Sequence, residues 1–61
     1  MKAQFQIEGD GVSIVEVSSE KAEREVHLAT TWENGSVSVL PLSRSEARSI
    51  ASALMGCAAD L

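Results

Sequence analysis

The first eight residues alternate between apolar and polar side chains, and a second apolar stretch follows a glycine-rich turn. Ala3, Phe5 and Ile7 occupy every second position, which is the period of a strand with one covered face. Gly9-Asp10-Gly11 follows and supplies the backbone freedom of a tight turn. Residues 12–18 carry β-branched side chains on both faces, which is typical of an interior strand. The pattern predicts a first hairpin.

A longer alternation follows in the middle of the chain and runs into Asn34-Gly35. Asn-Gly between alternating hydrophobic residues favours a two-residue hairpin turn of type I′. Such a turn predicts a register with four facing pairs: Glu33 with Ser36, Trp32 with Val37, Thr30 with Val39 and Leu28 with Pro41. In this register the apolar residues of both strands share one face of the sheet.

Residues 18–25 admit two interpretations. The first is a short helix capped by Ser18 or Ser19, and the second is a polar turn that leads into the long strand. The helix would have few apolar side chains on one side, and isolated helices of this length are weak in water. We therefore favour the turn and the strand.

The last third of the chain predicts an α-helix from about residue 44 to residue 59. Ser43 and Glu46 have the spacing of a capping box, and Leu42 and Ala47 occupy the positions of a hydrophobic staple. Beyond the cap, apolar side chains recur at helical spacing, at Ala47, Ile50, Ala51, Leu54, Ala58 and Leu61.

Together these elements predict one small α+β domain over residues 1–61. The expected sheet is antiparallel with three to four strands, at about 2–8, 12–18, 24–33 and 36–41. Pro41 cannot donate to a ladder and is expected to end the last strand. The helix is expected to pack on one face of this sheet, since two layers bury the apolar sides of both.

The chain offers few groups for catalysis. It contains one histidine, His27, one cysteine, Cys57, and no tyrosine. A nucleophile and its base need two suitable groups within hydrogen-bond reach, and a structural zinc site needs about four Cys or His ligands. We therefore expect no enzymatic activity, no metal and no cofactor. A sole cysteine excludes an internal disulfide and fits the reducing cytoplasm.

Charge separates the two halves of the chain. Five basic and nine acidic residues give a net charge of −4, which argues against direct binding to nucleic acid. No apolar run approaches the roughly 20 residues that span a membrane. The negative excess lies in residues 1–33 and forms either a solvated edge or a patch that docks on a basic protein partner. The residues predicted for such a patch are Glu20, Glu23, Glu25, Glu33 and Trp32.

The outer face of the predicted helix carries small side chains where lysine and glutamate are usual. Small residues let another backbone approach closely, so this face is either a neutral solvated surface or the contact of a two-fold homodimer. The residues of the possible dimer face are Ser45, Ser49, Ser52, Ala53 and Gly56.

The stretch from Leu42 to Leu54 reads Leu-Ser-Arg-Ser-Glu-Ala-Arg-Ser-Ile-Ala-Ser-Ala-Leu, and Ala58-Ala59-Asp60 follows. With this motif, residues 34–60 resemble the C-terminal strand and helix of small uncharacterised proteins from actinobacteria and their phages. The resemblance implies a phage or mobile-element setting, in which short acidic proteins inhibit host machinery, anti-CRISPR proteins among them. We expect a non-enzymatic protein-binding module of this kind or, alternatively, a homodimeric accessory subunit that associates through its helix.

Overall fold

The computed structural model describes residues 1–9 and 11–61, and it contains a four-stranded antiparallel sheet followed by one helix. The sheet order is β1-β2-β3-β4, so each strand pairs with its neighbours in sequence. The predicted α+β fold is confirmed. The elements are β1 (Lys2–Gln6), β2 (Val12–Glu20), β3 (Glu25–Trp32), β4 (Val37–Leu42) and α1 (Arg44–Ala59).

The β2–β3 hairpin decides between the two interpretations of residues 18–25. β2 continues to Glu20, the turn takes residues 21–24, and β3 begins at Glu25. Within the turn, the amide of Arg24 donates to the carbonyl of Lys21 at 3.3 Å, and Arg24 has a left-handed φ of 56°. The turn and strand are confirmed, because the segment extends the ladder instead of forming a helix with little to pack against.

The predicted turn between β1 and β2 includes Asp10, which lies outside the described residues. Beside it, Gly11 has a φ of +92°, a conformation that glycine adopts without steric cost. The ring of Trp32 lies against this glycine, since a Cβ built there would be 3.4 Å from Cε3 of the indole. The amide of Ile7 donates to the carbonyl of Ser13 at 2.9 Å, so the pairing continues beyond the end of β1.

The β3–β4 turn differs from the type I′ prediction. Gly35 has a φ of +88°, but Asn34 is not in the left-handed region. The amide of Trp32 donates to the carbonyl of Ser36 at 2.8 Å, which closes a three-residue loop of the kind that ends in a glycine bulge. The Asn34 side chain holds the loop by accepting from the amide and the hydroxyl of Ser36, at 3.0 and 2.7 Å.

The extra loop residue shifts the register by one position, so the predicted pairs were wrong. Trp32, Thr30 and Leu28 were expected to face Val37, Val39 and Pro41, and Glu33 to face Ser36. Instead the structure pairs Thr31 with Val37, Ala29 with Val39 and His27 with Pro41. Because side chains alternate, the shift moves Val37 and Val39 to the face opposite Leu28. β4 also continues past Pro41 to Leu42, one residue further than expected.

The observed register gives the sheet two chemically different faces. The row Ala3–Val17–Leu28–Leu40 crosses all four strands, and the row Lys2–Ser18–His27–Pro41 crosses them on the other side. We call the first side the apolar face; by this register it carries Ala3, Phe5, Val15, Val17, Val26, Leu28, Leu40 and Leu42. We call the other side the polar face.

The helix begins where the capping box was predicted. The amide of Glu46 donates to Oγ of Ser43 at 3.1 Å, and the amide of Ser43 donates to Oε1 of Glu46 at 2.8 Å. Two backbone donors at the start of α1 are thereby satisfied, which fixes the helix start. Within the described part of the chain, no helix combines the length and apolar character needed to cross a membrane.

α1 covers less of the sheet than its apolar side chains would allow. Leu42, next to the first turn of the helix, is 8% exposed, yet Leu40 on the same face of the same strand is 51% exposed. Ala47 is half-buried, whereas Leu54 is 66% exposed. Within residues 1–9 and 11–61, α1 contacts β3 and β4 but neither β1 nor β2. The β1–β2 half of the apolar face is therefore open.

Replacing Ser43 by alanine is expected to lower the free energy of unfolding by about 1 kcal/mol, because the N-cap hydroxyl accepts the amide of Glu46. Chemical denaturation followed by circular dichroism measures the change. Ser49→Ala is the matched control, since Ser49 is exposed inside the same helix. Equal effects of the two substitutions would contradict a role for the cap.

The same cap predicts a pH dependence. Hydrogen bonds from Ser43 lower the pKa of the Glu46 carboxyl below its ordinary value of 4.5. Glu46 therefore stabilises the fold above that ordinary value, and the contribution disappears as the pH falls through the lower folded-state pKa. We expect the stability difference between the native protein and Glu46→Gln to be larger at about pH 7 than at about pH 3. A difference that does not vary with pH would contradict the assignment.

Candidate protein-binding site

The β2–β3 hairpin gathers carboxylates on the polar face. Glu20 and Glu25 lie directly opposite each other as the last pair of the two strands, and Glu23 belongs to the turn between them. Glu16 lies on the same face of β2 by alternation and pairs with Ala29. We call Glu16, Glu20, Glu23 and Glu25 the acidic strip. Three of its four members were predicted; only the register of β2 identifies Glu16.

His27 lies within the acidic strip and contacts two of its carboxylates. Its Nε2 is 3.3 Å from Oε1 of Glu25 and 3.7 Å from Oε2 of Glu23. His27 is half-buried on the face away from Trp32, as the alternation of β3 predicts. The histidine therefore ties the turn residue Glu23 to the strand residue Glu25.

The ligand atoms of Glu23, Glu25 and His27 all lie within 4.8 Å of one another. An imidazole nitrogen with two carboxylates is a donor set that zinc accepts. Sequence reasoning missed this trio because it looked for four Cys or His ligands. In the structure both carboxylates contact Nε2 of His27, and Glu23 is exposed.

Positive charges lie around the strip but are unevenly placed. Nζ of Lys2 is 3.5 Å from Oε1 of Glu16, on the polar face. Arg24 and Arg44 line an open depression whose lining also includes Lys21 and the strip residues Glu20 and Glu25. A separate depression on the polar face is lined by Glu16 and Glu20, among other residues. The four carboxylates of the strip therefore have the cations Lys2, Lys21 and Arg24 beside them.

Two residues of the predicted patch lie elsewhere. Trp32 ends β3 and Glu33 follows it, whereas Glu25 begins the same strand. Eight residues of strand place these ends about 23 Å apart. The Trp32 indole donates to Oγ of Ser38 at 3.2 Å, and the side chain is 37% exposed. The structure thus divides the predicted patch between the two ends of β3.

The small-residue face of α1 is exposed along its whole length. A Cβ added at Gly56 would meet nothing within 4 Å. Cys57, the free thiol, is also exposed on α1. Whether this face contacts a second chain stays a prediction. Its exposed residues are Ser45, Ser49, Ser52, Ala53 and Gly56.

Comparisons with family models, with curated protein sequences and with solved structures found no match to this chain. The case for a function therefore depends on the chain's own residues and their geometry.

Replacing Glu20 by glutamine is expected to stabilise the hairpin. Glu20 and Glu25 are directly opposite, and like charges in that position destabilise a sheet by about 0.2–1 kcal/mol. Urea denaturation at low salt should show the increase, and high salt should reduce it. Glu33→Gln is the matched control, because Glu33 lies at the other end of β3. A loss of stability on Glu20→Gln would show that the carboxylate serves the fold.

Proposed function

We propose that this protein is a non-enzymatic protein-binding module whose acidic strip docks on the basic surface of a partner. The observation that carries the proposal is the opposed pair of Glu20 and Glu25 at the end of the hairpin. Two facing carboxylates lower the stability of the sheet. A cation from another molecule removes that repulsion, so the pair is better suited to a complex than to the free chain.

The strip is suited to electrostatic recognition. Glu20 and Glu25 are fixed relative to each other by the β2–β3 ladder, so binding immobilises little of the backbone. Glu23 extends the strip into the turn, where its side chain is 65% exposed. Charge complementarity of this kind steers association and excludes acidic partners. Lysine and arginine side chains are the groups that the strip would recognise.

The proposed consequence of binding is inhibition of a nucleic-acid-binding complex. A basic groove that binds phosphates also attracts a strip of carboxylates, and the two then compete for the same cations. The resemblance of residues 34–60 to actinobacterial and phage proteins supports a setting like that of anti-CRISPR inhibitors. The proposed compartment is the cytoplasm, where the free thiol of Cys57 stays reduced.

A second candidate function is that of a homodimeric accessory subunit. The exposure of apolar side chains along α1, such as Leu54 and Met55, favours association through the helix. This candidate does not need the acidic strip, and the two functions are compatible in one molecule.

The triple substitution Glu20→Gln, Glu23→Gln and Glu25→Gln is expected to abolish partner binding and to leave the fold intact. Affinity capture uses a lysate of the bacterial host that the proposed phage setting implies, and it identifies the proteins that the native chain retains. Binding of each purified candidate is then measured by calorimetry at about 50 and about 300 mM salt, and it should weaken at the higher salt.

The matched control carries Glu8→Gln, Glu33→Gln and Asp60→Asn, which remove the same number of negative charges outside the strip. It should bind like the native chain. Unchanged binding of the strip variant would refute the proposal, and so would equal losses in both variants. Loss in the control alone would assign binding to Glu8, Glu33 or Asp60 and not to the strip.

A further inference from the structure

The single chain exposes more surface than a folded monomer of its size. Its accessible area is 5014 Å². Monomeric proteins of 6.5 kDa expose about 3,800 Å² by the empirical scaling of area with mass. The chain therefore has about 1,200 Å² of surface in excess. Its radius of gyration, 12.6 Å, also exceeds the roughly 10.5 Å of a compact domain of this length.

Apolar side chains account for much of what is exposed. Among the described residues, Leu42 is the one buried apolar side chain. On the apolar face, Phe5 is 54% exposed, and Val15 and Val17 beside it are half-buried. These three residues belong to β1 and β2, the strands that α1 does not contact within the described chain.

The same chain carries a surface of matching shape. The apolar side chains of Ile50 and Leu54 lie one turn apart on one side of α1, and Leu54 is largely exposed. Leu61, which follows the helix, is also exposed. Two neighbouring strands and their side chains present a surface about 10 Å wide, which is the diameter of one helix. The open half of the sheet therefore has room for one further helix.

We propose that a second copy of this chain covers the open face, with the distal half of α1 from each copy packed on the β1–β2 half of the other. Each copy has one open sheet half and one uncovered helix, so a two-fold axis satisfies both contacts at once. Removing the excess from both copies buries about 2,400 Å², which lies in the range of obligate homodimers. The inference deepens the second candidate function and is independent of the acidic strip.

Cover for both exposed surfaces favours this pairing over sheet against sheet. Packing sheet on sheet would leave the exposed apolar side of each helix, which includes Leu54, uncovered. Packing the helix of one copy on the sheet of the other covers both surfaces. The carboxylates of the acidic strip lie on the polar face and stay outside this contact.

The pairing also differs from the homodimer expected from the small-residue face. Ser52 lies about 200° around the helix from Ile50, so the two surfaces are on opposite sides of α1. One substitution on each side therefore separates the two arrangements.

Sedimentation equilibrium of the native protein from about 1 to about 200 µM is expected to give twice the 6.5 kDa chain mass, with a melting temperature that rises with concentration. Leu54→Glu should abolish the dimer, because it introduces a charge into the apolar contact. Ser52→Glu is the matched control and should leave the dimer intact. If Leu54→Glu unfolds the protein and Ser52→Glu does not, the result also supports the proposal. A monomer in which Leu54 is 66% exposed would tolerate a glutamate at that position.

Three outcomes would overturn the inference. The first is a folded monomer at the highest concentration, which leaves the apolar face to a different partner. The second is a dimer that survives Leu54→Glu and dissociates with Ser52→Glu. The third outcome concerns isotope-filtered NMR of mixed labelled and unlabelled native chains. In this experiment we expect contacts between the Leu54 methyl groups of one copy and Phe5 or Val17 of the other. Absence of such contacts in a dimer excludes the exchanged helices.

The proposal for the acidic strip and the proposal for the dimer can be refuted independently. The variant with Glu20, Glu23 and Glu25 all replaced by glutamine should remain dimeric whether or not it binds a basic partner. Its mass in the same sedimentation experiment therefore distinguishes a failed strip from a failed dimer.

Discussion

The structure depends on how much of the apolar face of the sheet the single helix can cover. Four strands present a continuous apolar face, and one helix of 16 residues is the only second layer within the described chain. The helix contacts β3 and β4, buries Leu42 and leaves Phe5 and Leu40 exposed. A chain this short buries a modest share of its surface even when compact. The second copy proposed above would complete this layer and so stabilise the fold.

The two faces of the sheet are suited to different kinds of interaction. Hydrophobic contact on the apolar face depends on area and shape, and it lacks charge. On the polar face, the binding proposed for the acidic strip would depend on long-range attraction and would weaken with salt. Because the faces are back to back, a second copy on one of them leaves the other accessible. Assembly and recognition by charge are thus compatible, and a dimer would present two acidic strips.

Prediction from the sequence worked best where one local signal sufficed. The capping box of Ser43 and Glu46 defined the helix start, and alternation identified the strands to within two residues at every end. It failed at Asn34-Gly35, where two-residue and three-residue loops share the same dipeptide. The choice depends on whether Asn34 takes a left-handed φ or uses its side chain to hold Ser36. The two loop conformations differ by a small free energy, which cannot be read from the residue types alone.

The sequence by itself determined the element types, the acidic character of residues 1–33 and the amphipathic side of the helix, because these depend on neighbours along the chain. Tertiary structure alone decided the register of β4, which sent Val37 and Val39 to the polar face. It also decided which acids meet: Glu16 joined Glu20 and Glu25, while Glu33 was placed at the far end of β3. The tertiary structure also decided the direction of α1. An amphipathic stripe shows that one side of a helix is buried against another surface, but it does not show which surface that is.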